Sequence, residues 1–192
     1  MPLISDIFAA HHDAVGALRN QEEEIARIGM LLIEHLRDDR RIFLCGNGGS
    51  AADAQHIATE MVCRFETNRR ALPAIALTTD TSALTAISND FGYEQVFARQ
   101  VEALARHGDI LIGISTSGNS GNVIRAVSQA RDMGIECVGL LGRDGGKLLS
   151  LVNHPLVVPA RETARIQECH ILIGHIWCAM VDAAFNGADH AS

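Results

Sequence analysis

The 192-residue chain carries 16 basic and 23 acidic residues, which give a formal net charge of −7 at neutral pH. Lys147 is its single lysine, so the basic stripe typical of nucleic-acid-binding surfaces is absent. A hydrophobic content of 47% excludes disorder, and no uninterrupted apolar run is long enough to span a membrane. Five cysteines without a CxxC pair favour a reduced, cytoplasmic protein. We therefore expect a soluble protein with no nucleic-acid partner and no membrane partner.

The first forty residues predict helices. Apolar residues recur near a period of 3.6, first from Leu3 to Leu18 and then from Ile25 to Leu36. Such a stripe has to be covered, and we expect the rest of the chain and another subunit to share it. The predicted organisation is one structural domain, with a helical segment over 1–40 for oligomer packing and the main domain over 41–192.

From residue 41 onward, short apolar runs alternate with helical segments. Strands are predicted at 42–45, 72–77, 109–114, 136–141 and 155–159, and helices at 51–63, 93–107, 122–133 and 163–185. This alternation indicates βαβ units and a parallel sheet. Because the strands are continuously apolar, both faces of the sheet should be covered. The predicted fold is α/β, a three-layer α/β/α sandwich around a central parallel sheet, preceded by the N-terminal helices.

Two loops at predicted strand ends are the candidate ligand-binding segments. The glycine loop, Gly46-Asn47-Gly48-Gly49-Ser50, follows the first strand, and the hydroxyl loop, Ser115-Thr116-Ser117-Gly118-Asn119-Ser120, follows the third. Glycines let a ligand approach the backbone, and hydroxyls beside a helix N-terminus suit a phosphate group.

Nucleotide-binding interpretations of the two loops are weaker. The glycine loop matches a dinucleotide-binding fingerprint only in part, since the next strand lacks the acidic residue at its end. A Walker A loop is excluded because Lys147 is not followed by Ser or Thr. Ordinary turns with helix caps remain the alternative for both loops.

Four side chains on two predicted helices form a candidate metal site. His56 and Glu60 are spaced i, i+4 and therefore share a helix face. Gln167 and His175 lie eight residues apart on the last helix, roughly 80° out of alignment, a gap that a long glutamine could close. Imidazole and carboxylate donors suit Zn²⁺. On spacing alone, a surface ion pair and a hydrogen-bonded core histidine are the alternatives.

Taken together, the motifs resemble those of the phosphoheptose isomerases, which belong to the sugar isomerase (SIS) domain family. The resemblance extends over most of the chain from about residue 40 and is less distinct before it. Its motifs are Cys45 to His56, Ser88 to Gly92, Gly113 to Ser120 and Arg165 to Glu168.

The resemblance implies a flavodoxin-like SIS domain and a role for each matching residue. Sugar contacts would come from Asn47, Gly48, Gly49, Ser50, Asn89 and Asp90, and phosphate contacts from Ser115, Thr116, Ser117 and Ser120. One Zn²⁺ per subunit would be held by His56, Glu60, Gln167 and His175, of which Glu60 and Gln167 would also contact substrate. It also implies a cytoplasmic homotetramer with active sites formed between subunits.

The reaction implied by the resemblance converts sedoheptulose 7-phosphate to D-glycero-D-manno-heptose 7-phosphate, the first step toward ADP- or GDP-heptose for surface glycans such as lipopolysaccharide. Such an aldose–ketose isomerisation needs a base, for which we expect Glu60, and an acid, for which we expect His175. The alternative is a non-catalytic SIS-domain tetramer that binds the replication initiator protein. A scaffold of that kind has no need of Glu60 and His175.

Overall fold

The computed structural model describes residues 2–186, so the last six residues of the predicted main domain lie outside the described range. The helices are α1 (Pro2–Leu18), α2 (Glu22–Arg37), α3 (Gly49–Val62), α4 (Thr81–Phe91), α5 (Ala98–Leu104), α6 (Gly121–Asp132) and α7 (Thr163–Phe185). The strands are β1 (Ile42–Cys45), β2 (Ala74–Ala76), β3 (Ile110–Ser115), β4 (Glu136–Gly142) and β5 (His154–Val158). Short 3-10 turns occupy Arg19–Gln21, Tyr93–Gln95 and Lys147–Ser150.

The five strands form one parallel sheet in the order β2-β1-β3-β4-β5. The register of the central pair places Ile42 beside Ile110 and Cys45 beside Gly113. One face of the sheet is covered by α1, α2, α3 and α7, and the other by α4, α5 and α6. The predicted three-layer α/β/α sandwich is therefore confirmed, and its strand order is that of the flavodoxin-like folds.

The N-terminal helices contribute to the core of the first face. Ile28 and Leu32 of α2 are fully buried, and the indole Nε1 of Trp177 on α7 donates a hydrogen bond of 2.9 Å to the carbonyl of Ile25. The first half of α1 differs, since Leu3 and Phe8 are largely exposed (70% and 71%). The apolar stripe is thus covered by the chain along α2 and left open along the start of α1.

Helix α4 is the element that the sequence interpretation missed. Leu84, Ile87 and Phe91 recur in it at helical spacing, but they are interspersed with Thr, Ser, Asn and Asp, and no residue of α4 is buried. Its start is nevertheless specified locally, because the carboxylate of Asp80 accepts a hydrogen bond of 2.9 Å from the N–H of Ala83 as an N-cap. The predicted helix over 93–107 is shorter in the structure, where a 3-10 turn precedes α5.

Helix α7 is long and apolar enough to cross a membrane by length and composition. Half of its most apolar stretch is buried within the molecule, and it packs against α1, α2 and α3. Both observations are those expected of the core helix of a soluble protein.

His170 on α7 is a buried histidine outside the predicted site. It is fully buried, and its Nε2 lies 2.9 Å from the carbonyl of Leu141, to which it donates as the neutral tautomer. Its Nδ1 is buried without a hydrogen-bond partner among the described residues. Burial lowers the pKa of His170 to about 4, and the bond to Leu141 only partly opposes that effect.

We expect this histidine to contribute to acid unfolding. The unfolded chain takes up the proton near the ordinary histidine pKa of 6.5, whereas the folded chain resists it down to about 4. The stability that neutral His170 provides is therefore present above pH 6.5 and lost as the pH falls toward 4, by an amount on the order of 3 kcal/mol. His170→Gln, which keeps a donor for Leu141 but does not titrate, should flatten this pH dependence. Urea unfolding between pH 7 and 4 measures it, with exposed His12→Gln as the matched control. Equal slopes for the wild type and His170→Gln would contradict the assignment.

Candidate active site

The site lies at the carboxyl ends of β1 and β3, where the strand order reverses. The chain leaves β1 into α3 on one face of the sheet and leaves β3 into α6 on the other face. This divergence opens a crevice between the two loops, which is where open α/β sheets bind ligands. The glycine loop borders the crevice on the β1 side and the hydroxyl loop borders it on the β3 side.

The glycine loop is tied across the crevice by a reciprocal pair of amides. Asn47 and Asn122, the second residue of α6, exchange two hydrogen bonds of 2.8 Å each. The hydroxyl of Tyr93 donates a third bond of 3.0 Å to the side-chain oxygen of Asn47. The Asn47 amide therefore joins the glycine loop to the start of α6 and to the turn that carries Tyr93, and no sequence pattern indicated Tyr93 or Asn122 as its partners.

The backbone of the glycine loop depends on two of its glycines. Gly48 has a φ of +56°, a value that disfavours other residues. A Cβ on Gly46 would lie 2.8 Å from the Cβ of Ser50, which itself is buried. Ser50, one of the predicted sugar contacts, is therefore packed beneath the loop, whereas Gly48 and Gly49 lie on the surface of the loop.

In the hydroxyl loop, Ser115 and Ser120 are paired with each other, and Ser117 accepts a hydrogen bond of 3.2 Å from the N–H of Asn119 but can still donate to a ligand. The hydroxyls of Ser115 and Ser120 are 2.8 Å apart, and Ser120 makes no capping hydrogen bond at the start of α6. The first N–H groups of a helix lack partners within it, so they and the helix dipole favour an anion here. Thr116 and Ser117 are only partly buried.

A cavity of about 590 Å³ adjoins the hydroxyl loop. Its lining includes Ser117 and Asn119 from the loop, and Arg143 and Arg161 from the segments that follow β4 and β5. These two guanidinium groups outnumber the one carboxylate of the lining, Asp144, and place net positive charge beside the predicted phosphate site. The sequence interpretation, which assigned the phosphate to hydroxyls beside a helix N-terminus, missed both.

Asn89 and Asp90, the other two predicted sugar contacts, face solvent. Both are exposed near the end of α4, and the amide of Asn89 donates a hydrogen bond of 2.8 Å to the carboxylate of Asp90. They lie on a helix, and over the described range their side chains make no hydrogen bond with the glycine loop or the hydroxyl loop. Their sugar contact stays a prediction.

Side chains of α3 and α7 meet at the predicted metal site. The Nε2 atoms of His56 and His175 are 3.1 Å apart, and the carboxylate of Glu60 lies 3.5 Å from Nε2 of His56. The helices approach this closely because residue 174 is glycine: a Cβ there would lie 2.5 Å from Cδ1 of Ile57. The ring of Phe65 stacks on His175 with a centroid separation of 5.5 Å.

The loop that carries Phe65 is fixed by a buried ion pair. Arg69 donates to the carboxylate of Asp182 at 2.8 Å and to the carbonyl of Glu60 at 2.7 Å. Asp182 also accepts hydrogen bonds from the N–H groups of Glu66 and Thr67. Burial raises the pKa of Asp182, but these hydrogen bonds and Arg69 outweigh it and hold the pKa below its usual value. The ion pair of Arg69 and Asp182 thereby fixes the end of α3 and the loop whose Phe65 ring stacks on His175.

Gln167, which precedes His175 by more than two turns of α7, is held by a residue that the sequence interpretation missed. Its Nε2 donates a hydrogen bond of 2.7 Å to the carboxylate of Asp53 on α3, and its Cδ lies 3.4 Å from the position of a Cβ on Gly49. Burial raises the pKa of Asp53 to about 6, and the bond from Gln167 and the nearby His56 lower it only partly. Asp53 precedes His56 by three residues on the same helix face, which was the one signal in the sequence that could have identified it.

The donor set fits zinc in part. Two nitrogens bound to one tetrahedral Zn²⁺ at 2.0–2.1 Å are about 3.3 Å apart, close to the 3.1 Å between His56 and His175. Within residues 2–186, however, no three His, Cys, Asp or Glu side chains are arranged as a complete metal site. The structure thus brings His56, Glu60 and His175 together, whereas the side chain of Gln167 is hydrogen-bonded to Asp53.

Comparisons with known proteins agree with this geometry. A SIS domain family model matches residues 9–142. The phosphoheptose isomerase of a Nitratiruptor species is 60% identical over 156 residues, which cover 81% of this chain and 83% of that protein. The phosphoheptose isomerase of Aliarcobacter butzleri is 56% identical over 176 residues, covering 91% and 93%.

Solved structures give the same result. A phosphoheptose isomerase from Neisseria gonorrhoeae superposes with a TM-score of 0.89 at 46% identity, over 95% of this chain and 98% of that one. One from Francisella tularensis superposes with a TM-score of 0.92 at 37% identity, over 95% and 97%. The chain therefore belongs to the phosphoheptose isomerase family of SIS-domain proteins.

Proposed function

We propose that this chain interconverts sedoheptulose 7-phosphate and D-glycero-D-manno-heptose 7-phosphate. The observation that carries the proposal is the cluster of Glu60, His56 and His175 on the two helices that border the crevice. The family is one of sugar-phosphate isomerases, as the names of the relatives state. A non-catalytic tetramer would have no use for a carboxylate and a second imidazole that both lie against His56.

Phosphate binding in this proposal relies on the hydroxyl loop. The side chains of Thr116 and Ser117 and the first N–H groups of α6 supply neutral donors, and Arg143 and Arg161 raise the local positive potential from the adjoining cavity. The loop would fix one end of the substrate, so that the other end, with C1 and C2, extends along the crevice toward α3 and α7.

Proton transfer falls to the cluster on α3 and α7. In the direction from ketose to aldose, the carboxylate of Glu60 takes the proton from C1 while His175 gives a proton to the oxygen on C2, which yields an enediol. The proton is then returned to C2, the oxygen on C1 loses its proton, and the aldehyde forms. No atom is gained or lost, because the two carbons only exchange oxidation states.

We further propose that His56 and His175, with Glu60 and Gln167, hold one Zn²⁺ per chain. When bound, the cation polarises substrate oxygens and stabilises charge that develops on them. Nε2 of His175 cannot bind a metal and donate a proton at the same moment, and Glu60 is a weaker base when it is a ligand. Metal analysis therefore also decides how these two residues divide their roles.

Turnover is the first test. Purified protein supplied with Zn²⁺ and sedoheptulose 7-phosphate should form the aldose, observed by NMR. Glu60→Gln should reduce kcat by about 100- to 10,000-fold, because the amide cannot accept the C1 proton. Glu102→Gln, the same chemical change at an exposed carboxylate of α5, should leave kcat unaltered. Folded wild-type protein without turnover would refute the function, and an active Glu60→Gln would remove Glu60 from the role of base.

Metal content is the second test. Protein purified without chelator should contain about one zinc per chain by elemental analysis. His56→Ala and His175→Ala should lose it, since each removes one of the two facing nitrogens, whereas exposed His12→Ala should retain it. Full zinc content in His56→Ala would contradict the assignment.

We also propose that the chain assembles as a homotetramer through the exposed start of α1. Leu3, Ile4, Ile7 and Phe8 lie on one face of that helix and are all exposed within this chain. An apolar face of this size is typical of a contact surface, and the family resemblance supports four subunits.

Light scattering tests the assembly. The wild type should have four times the chain mass of 20.7 kDa. Phe8→Glu should lower the mass, because a charge cannot be buried in an apolar contact without a large cost. Ala9→Glu, which adds the same charge on the opposite face of α1, should not. A wild-type monomer would refute the proposal.

A further inference from the structure

Asp53 is the buried polar group of the site that the proposed mechanism does not use. It is 4% exposed, one of its carboxylate oxygens accepts from Gln167 at 2.7 Å, and the other, Oδ2, is buried without a hydrogen-bond partner in the described part of the chain. A buried carboxylate with an unpaired oxygen costs stability. Its presence beside the site therefore calls for a function other than holding the fold together.

The chemistry of the pair determines which end of the Gln167 amide is available. A carboxylate only accepts hydrogen bonds, and the glutamine amide donates through Nε2 and accepts through Oε1. Contact with Asp53 therefore assigns Nε2 to the buried side. Among residues 2–186, no group donates a hydrogen bond to Oε1 of Gln167, so it is the atom left for a ligand. An oxygen can bind a cation, whereas an amide NH₂ group in that place would repel it.

The two helices arrange these contacts as two successive pairs. Asp53 and His56 occupy one face of α3, and they contact Gln167 and His175 of α7, respectively. The first pair fixes an amide, and the second places two imidazole nitrogens 3.1 Å apart. Asp53 and His56 are about one turn apart on α3, so the fixed amide lies one turn of α3 from the facing histidines.

We propose that Asp53 is a positioning residue, which holds the Gln167 amide with Oε1 toward the cation site formed with His56 and His175. Asp53 itself touches neither cation nor substrate. The inference rests on the proposed function only in taking Zn²⁺ as the cation. Partners that orient metal ligands in this way typically change metal affinity about 10- to 100-fold when they are removed.

A double-mutant cycle on Zn²⁺ affinity tests the proposal. The variants are Asp53→Ala, Gln167→Ala and the double variant, and affinity is measured by competition with a chromophoric chelator. Each single substitution should weaken binding about 10- to 100-fold. The double variant should bind no more weakly than Gln167→Ala alone, because Asp53 acts only through Gln167. Thr59→Ala, at an exposed position of α3, should leave the affinity unaltered.

A residue that merely joins two helices would give a different pattern. In that case Asp53→Ala would lower the unfolding midpoint of the metal-free protein and leave the Zn²⁺ affinity of the folded protein unaltered, which would overturn the proposal. Effects that multiply in the double variant would overturn it as well, since Asp53 would then act without Gln167.

The result of the double-mutant cycle can be distinguished from the result of the isomerase assay. A wild type that isomerises sedoheptulose 7-phosphate without binding Zn²⁺ would overturn the role of Asp53 and leave the activity standing. A wild type that binds Zn²⁺ and shows the non-additive cycle, but converts no sugar phosphate, would support Asp53 and refute the activity.

Discussion

The close packing of α7 against α3 is the contact on which the site depends. Gly174 permits it, because any side chain there would collide with Ile57. The same helix anchors the rest of its layer: Trp177 bonds to α2, and the guanidinium of Arg165 bonds to the carbonyl of Ile7 in α1. A shift of α7 would therefore have two effects at once: it would move the N-terminal helices, and it would separate His56 from His175.

Three buried polar side chains on or against this helix differ in how fully they are paired. Asp182 is fully served by hydrogen bonds and an ion pair, and it fixes the loop behind His175. Asp53 and His170 each retain one buried atom without a partner among the described residues. A fully satisfied buried pair can rigidify a structure, whereas unpaired atoms reduce stability. The molecule thus accepts a loss of stability near its site, which is typical of places where side chains are held for chemistry.

The electrostatics of the crevice differ from those of the whole chain. A net charge of −7 would disfavour an anionic sugar phosphate if charge were spread evenly. The hydroxyl loop, the start of α6 and two arginines instead create a local environment that favours an anion, while the acidic groups Asp53 and Glu60 lie on the opposite side of the crevice. The two ends of a phosphorylated sugar would thus meet surfaces of different chemistry.

The sequence by itself determined what depends on neighbours along the chain. Apolar runs identified the strands, glycine and serine clusters marked the loops at their ends, and the helical period placed His56 and Glu60 on one face. Even the missed helix α4 has a local signal in the capping Asp80. All of these follow from interactions within a few residues.

Only the tertiary structure decided the contacts between distant segments. His56 meets His175 across 119 positions, and Gln167 meets Asp53 across 114, because of how two helices pack. The sequence suggested a common cluster of four donors, but it could not show that a buried carboxylate would take the Gln167 amide. The strand order that opens the crevice was likewise not specified by any local pattern and was implied only by the family resemblance. Such contacts depend on side-chain volumes at helix crossings, here the missing side chain of Gly174, and no local pattern records which surfaces will meet.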